Sequence, residues 1–233
     1  MSDILNATHS ALELLCRLDP ALLRIIALSL AVSFSAAAAA SVVGLPLGAV
    51  LAVARFRGRH MLIVLANAMF GLPPVVVGLG LYLLLSRFGP LGMLEMLFTP
   101  AAMILAQFLL ALPIVVAISH RTMSGVWQEY GGPLLVDGLT RIQTVPHVLA
   151  IGRLGALTAV LAGLGRSISE VGAILIVGGN IAGYTRTMTT AIALETSEGN
   201  FAFALALGGV LIVISTTASI VAFQIEARFR KAK

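Results

Sequence analysis

Arg166 and Glu170 stand four residues apart inside an otherwise apolar stretch that runs Gly163-Leu164-Gly165-Arg166-Ser167-Ile168-Ser169-Glu170-Val171-Gly172-Ala173. On a helix that spacing puts the guanidinium and the carboxylate on one face, close enough to pair. Ionisable groups surrounded by hydrocarbon are costly, so both are expected to face the protein interior. Two readings stay open: an ion pair that pins helix packing, or a polar lining for a transport route in which Arg166, Ser167, Glu170 and the later Asn180 take part. The glycines of the same stretch permit close helix approach. Downstream, Gly178-Gly179-Asn180-Ile181-Ala182-Gly183-Tyr184-Thr185-Arg186-Thr187-Met188-Thr189-Thr190 gathers glycine-freed N–H groups, one arginine and four threonine hydroxyls. Such groups suit an oxyanion, and they equally suit a capped loop leading into a surface helix.

A second candidate lies between His120 and Arg153 (residues 120–153), a long polar interval for this chain. Gly131-Gly132-Pro133 is expected to break the chain there. After it, Leu134, Leu135, Val136, Leu139 and Ile142 offer an apolar stripe flanked by Asp137, Thr140, Arg141 and Gln143. A short amphipathic helix of this kind suits the groove of a soluble partner, or rests on lipid.

Other chemistry is excluded by what is missing. There is no G-x-x-x-x-G-K-S/T, and both lysines, Lys231 and Lys233, sit in the tail, so neither a P-loop nor a Schiff-base lysine is available. No H-E-x-x-H occurs; His9, His60, His120 and His147 are scattered at the ends of apolar runs, where a solvated or interfacial imidazole is expected. No metal site is expected. Cys16 is the only cysteine, which excludes an intrachain disulfide and a cysteine-based metal cage. Ser167 and Ser169 have no histidine in a neighbouring run to activate them.

The elements that must carry these residues follow from composition. Apolar residues make up 59% of the 233 and charged residues only 11%, against about a quarter charged in ordinary soluble domains. Mean hydropathy is +1.03. The class expected is an all-α, polytopic membrane protein in one domain. Crossing a hydrocarbon layer takes about 20 apolar residues, and five runs qualify: residues 25–54, 61–86, 101–119, 154–177 and 201–224. Pro46, Pro113 and the pair Pro73-Pro74 fall inside these runs, and Pro73-Pro74, preceded by Gly71, is the strongest candidate for a functional hinge. Ahead of the first run, residues 1–24 carry an apolar face with His9, Glu13 and Arg17 opposite, which predicts an amphipathic helix along the outer interface.

Orientation follows from Lys/Arg bias in short loops. Placing the C-terminus inside assigns Arg55, Arg57 and Arg59, then Arg121, Arg141 and Arg153, then Arg228, Arg230, Lys231 and Lys233 to the cytoplasm. Only Arg17, Arg24, Arg87 and Arg186 remain outside. The formal charge of +5 is thus explained by topology, and the basic clusters lack the interleaved aromatics of a nucleic-acid surface. The expected location is a prokaryotic cytoplasmic membrane with the N-terminus outside.

The blocks G-R-S-I-S-E-V-G-A (165–173), V-G-G-N-I (177–181) and T-R-T-M-T-T-A-I (185–192) resemble the A-R-x-x-x-E-F-G-A and G-G-N-I-x-G-x-T patterns of permease subunits of ATP-binding-cassette oxyanion importers, the molybdate/tungstate/sulfate group. L-E-T-S-E-G-N-F (194–201) looks more like the tungstate permeases. The resemblance runs from about Met61 to the C-terminus. It implies a fold like that of type I importer permeases, a homodimer with the pathway between protomers, two ATPase subunits below and a solute-binding protein above, with ATP and Mg held by the ATPase and no cofactor by this chain. It also implies a cytoplasmic coupling loop of the form E-A-A-x-x-x-G. Gly138 best matches its glycine, which puts Gly132, Pro133 and Leu134 where the acid and the two alanines belong; Asp137 and Arg141 are the expected polar contacts. The solute implied is tungstate first and molybdate second. A stand-alone ion-coupled transporter of a small anion is the alternative, although the inverted repeat common in such proteins is not visible.

Overall fold

The computed structural model describes residues 19–231, with side chains described to residue 220 and at Gln224. The amphipathic helix expected before Asp19 and the last two tail residues lie outside that range. Among the described residues the chain is helical: α1 Pro20–Val53, α2 Arg59–Ala68, α3 Pro74–Leu85, α4 Pro100–Val136, α5 Val145–Ile151, α6 Arg153–Ile168, α7 Gly172–Gly178, α8 Met188–Ser197 and α9 Phe201–Lys231, with single 3-10 turns at Met69–Gly71 and Gly92–Leu94. Three of these, α1, α4 and α9 as far as Ile220, are each long and apolar enough to cross a membrane. Two broken pairs, α2 with α3 and α5 with α6, raise the number to five if each pair is one span. The fold is that of a polytopic helical membrane protein.

Several boundaries differ from expectation for identifiable reasons. Residues 20–24 belong to α1 and not to a separate outer segment. Asp19 caps that helix, its Oδ1 accepting from the N–H of Ala21 at 2.8 Å and of Leu22 at 3.2 Å, while Pro20 occupies the first helical position, where no N–H is missed. Pro46 and Pro113 do not interrupt α1 and α4. Nor does Gly131-Gly132-Pro133 break the chain, because α4 continues through it to Val136. Leu134 packs there against the buried cluster of Ala49, Ala52, Val53, Met123 and Val148, and that burial outweighs the poor helix propensity of the three residues.

By packing, the chain falls into two compact units, each assembled from separated stretches. The first takes the residues up to Ser35, then Pro74–Gln107 and Ile168–Ala218. Its core is Leu22, Ile25, Met188, Ala191, Ala206 and Leu207. Within it α3 and α7 lie backbone to backbone: a Cβ added at Gly78 would come 2.8 Å from the Cα of Ala173.

The second unit takes Ala36–Pro73, Phe108–Ser167 and the residues from Ser219. Its helices meet through small residues. Gly44 and Gly48 of α1 receive Val115 and Ser119 of α4, and Gly155 and Gly163 of α6 receive Thr122 and Val115 of the same helix. This is the packing expected where helices associate in lipid, with glycine allowing the backbones to approach. Ser119 Oγ donates to the Leu45 carbonyl at 3.0 Å across the contact.

Candidate functional site

The fourth apolar run is not one helix. α6 ends at Ile168 and α7 begins at Gly172, so Arg166 and Glu170 do not share one continuous helix. Arg166 and Ser167 belong to the second unit and Glu170 to the first. Ser167 is buried, and its Oγ donates to the Gly163 carbonyl one turn back at 3.1 Å. Arg166 is half-buried.

Glu170 is only 2% exposed. Its Oε1 accepts from the N–H of Ala173 at 3.0 Å, one of the N–H groups left open at the start of α7. Its main-chain carbonyl accepts from Thr189 Oγ1 at 2.7 Å. The side chain therefore holds the start of α7, and its backbone ties that start to α8. Gly172 follows, where a Cβ would meet Val75 at 2.8 Å. A side chain at Gly172 would therefore have to displace Val75 of α3.

The segment 178–190 is a locked connection. Gly179 (φ 70) and Asn180 (φ 50) are both left-handed, and the ring of Phe98 lies where a Gly179 side chain would go. Thr185 Oγ1 donates to the Gly178 carbonyl at 2.6 Å and accepts from Ile181 N–H at 3.0 Å. Thr187 caps α8 in a reciprocal arrangement with Thr190. All four threonines are buried, so the expected surface helix is instead an inward one, and its hydroxyls are engaged in structure. Two polar atoms here have no partner: Asn180 Oδ1 and Arg186 Nε. Arg186 Nη1 lies 3.7 Å from Glu195 Oε1, and Glu195 also accepts from Asn200 at 2.7 Å.

Sequence reasoning missed a group of buried hydroxyls in the first unit. Ser29 Oγ accepts from Met188 N–H at 2.6 Å, and Gln107 donates to Ser33 Oγ at 3.4 Å. Ser29, Ser33, Thr187 and Thr189 line a cavity of about 10 Å³, the size of one water. The only signal for them is polar residues at helical spacing in an apolar run, Ser29 and Ser33 four apart.

The segment after α4 also differs from expectation. Leu134–Val136 complete α4; Gly138, at φ 86, ends it in the left-handed conformation, and its N–H donates to the Leu135 carbonyl at 3.1 Å. Thr140 then donates both its N–H and its hydroxyl to Gln143 Oε1, at 2.9 and 2.8 Å. That local bonding favours turns over helix, so no amphipathic helix covers Leu134 to Gln143. Gly132 and Asp137 are exposed, as are Leu135, Val136 and Ile142. Arg141 turns inward: its Nη1 donates to the Val53 carbonyl at 2.9 Å and its guanidinium lies 5.4 Å from the Trp127 ring centre. Arg59 does the same at Leu51, donating from Nε at 2.5 Å. Two arginines thus close the carbonyl end of α1, whose last turn has no basic residue of its own.

At the candidate hinge, helix gives way to the 3-10 turn Met69–Gly71, and Leu72 is extended (ψ 122), as a residue before proline prefers. Pro74 starts α3.

No family model matches the chain. Individual proteins do. A protein of Haloferax volcanii described as a "probable anion ABC transporter permease protein" is 42% identical over 198 residues, covering 83% of this chain and 85% of that one. This chain belongs to the anion ABC transporter permeases. The permease is also 36% identical over 226 residues to the tungstate uptake system permease protein TupB of Peptoclostridium acidaminophilum, covering 97% and 99% of the two chains. A more distant relative is the molybdenum transport system permease protein ModB of Azotobacter vinelandii, 28% identical over 184 residues. Such permeases are transport subunits and not enzymes, and the permease's apolar helices place it in a membrane with several passes.

Proposed function

We propose that the permease forms, as a homodimer, the translocation pathway of an ATP-driven importer of a tetrahedral oxyanion, tungstate first and molybdate second. The observation that carries the reading is the 36% identity with a tungstate uptake permease across 97% of the chain. Two ATPase subunits, which hold ATP and Mg, sit on the cytoplasmic side, and an extracytoplasmic binding protein delivers the solute. The N-terminus lies outside and the C-terminus inside. That Arg55 and Arg59 share a cavity with His120 and Arg141 supports placing both basic loops on one face.

In this reading the ATPase grips the exposed end of α4 around Gly132, Asp137 and Gly138, and Arg141 relays the movement to the end of α1. Closure of the ATPases on ATP shifts that segment, and the pathway near Arg166, Ser167, Glu170 and Asn180 turns from one side of the membrane to the other. Pro73 and Pro74 provide a bend point. The chain itself does no covalent chemistry.

The test is uptake of labelled tungstate by proteoliposomes holding the permease, its ATPase and its binding protein. Accumulation is expected only with ATP inside and all three proteins present. Accumulation by the permease alone, driven by an ion gradient without nucleotide, overturns the reading in favour of a secondary transporter.

A further inference from the structure

The second unit contains a cavity of about 390 Å³ lined by Arg55, Arg59, His60, His120, Arg141 and Trp127, with no aspartate or glutamate in its wall among the described residues. Arginine is charged at any physiological pH, so three fixed positive charges face one space without a carboxylate among the described lining residues. Two of them are held in place: Arg59 by the carbonyls of Leu51 and Ala52, and Arg141 by the carbonyl of Val53 and the ring of Trp127. A guanidinium has five N–H donors, and these main-chain contacts occupy only some of them. Gln128 and the hydroxyl of Ser124, which lies 3.3 Å from His120 Nε2, add neutral donors to the same wall. Preset, like-charged donors of this kind fit a multiply charged oxygen anion.

We propose that this cavity binds a phosphate-type tetrahedral oxyanion. Two sources share that chemistry. One is the headgroup of an anionic phospholipid: α2 continues from the cavity residues His60 and Ile63 with Met61, Leu62, Val64 and Leu65 exposed, an apolar face able to lie along an acyl chain. The other is a free inorganic oxyanion, the transported one included. The proposal is independent of the importer reading, since its test reads binding and not uptake.

Trp127 is the only tryptophan of the chain and lines the cavity, so its fluorescence reports occupancy in the unaltered protein. The full-length permease, delipidated in neutral detergent, is titrated with inorganic phosphate and with tungstate; in parallel it is placed in nanodiscs of phosphatidylcholine with increasing phosphatidylglycerol. A saturable change is expected in at least one arm, and the arm identifies the source. Arg55→Ala with His60→Ala, both at exposed positions, should weaken that binding about tenfold or more, the scale of losing one or more charge-assisted hydrogen bonds. Arg57→Ala, which removes a guanidinium from a neighbour outside the cavity wall, should change it less than threefold. No saturable response in either arm, or equal weakening by Arg57→Ala and by the double substitution, overturns the proposal.

Discussion

Replacing Glu170 separates a structural from a purely electrostatic role for the buried carboxylate. Glu170→Ala removes the acceptor of the Ala173 N–H and leaves the main-chain carbonyl that receives Thr189 Oγ1 untouched. The lost bond involves a charged acceptor and strands a donor at a buried site, about 1.5–3 kcal/mol. The missing methylene packing adds about 1 kcal/mol. For a chain of this length each kcal/mol moves the midpoint by about 2–4 °C, so thermal unfolding of the purified permease should begin roughly 5–15 °C lower. Glu170→Gln keeps an oxygen in place and loses only the charged component, about 1 kcal/mol, a fall of about 2–4 °C. Tungstate uptake by the reconstituted complex is read on the same preparations. If Glu170→Ala unfolds within 2 °C of the unaltered protein, the carboxylate does not hold α7 and the reasoning fails. If Glu170→Gln retains its midpoint but transports nothing, the negative charge acts on the solute path directly.

Gly132 and Gly138 are six residues apart and should respond in opposite directions to alanine. Gly132 is helical with open space around a Cβ, so Gly132→Ala should raise stability by up to about 1 kcal/mol, whereas Gly138→Ala, at φ 86, should cost about 1–2 kcal/mol; thermal midpoints of the two variants decide. Gly78→Leu forces a side chain against the Ala173 backbone, where no flexible atom can give way, and should cost about 1–3 kcal/mol with loss of a monodisperse peak on size-exclusion chromatography. Arg166→Ala should lower ATP-driven uptake while the assembled complex keeps its elution volume; unchanged uptake removes Arg166 from the pathway.

How much of this was legible in the sequence depended on the range of the signal. The apolar runs marked α1, α4 and α9 because burial in lipid demands length and little else. Pro73-Pro74 marked an interruption for the same reason, a local one: two consecutive residues without N–H groups cannot be helix interior. The break at Ser169–Val171 carried no such mark. Nothing in Ile168-Ser169-Glu170-Val171 disfavours helix strongly. The chain opens there in company with a buried carboxylate that takes the N–H of Ala173 and a threonine nineteen residues on that takes hold of the backbone. Both partners are visible only in three dimensions. Gly131-Gly132-Pro133 is the opposite case, a strong local breaker overruled by Leu134 packed against the core around Met123. The glycines at 44, 48 and 155 look like ordinary apolar-run glycines until α4 is laid against them.

Arg141 ties the segment after α4 to the end of α1. The resemblance implies a polar contact with the ATPase; within the chain, Arg141 donates to the last residue of α1 and lies over the ring of Trp127. Helix α1 ends with no cation in its own last turn, so the carbonyls of Leu51 to Val53 depend on Arg59 and Arg141. Gly138 to Thr144 is a run of turns braced by its own side chains, through Thr140 to Gln143 and Thr144 to the Arg141 carbonyl at 2.6 Å. A braced segment moves as a piece. Displacing it in the proposed importer therefore either carries the end of α1 along or pulls the guanidinium off Val53, and the second course leaves buried carbonyl oxygen without that donor. Carrying α1 along is the cheaper course, which makes this arginine a link between the exposed end of α4 and the longest apolar helix of the N-terminal half.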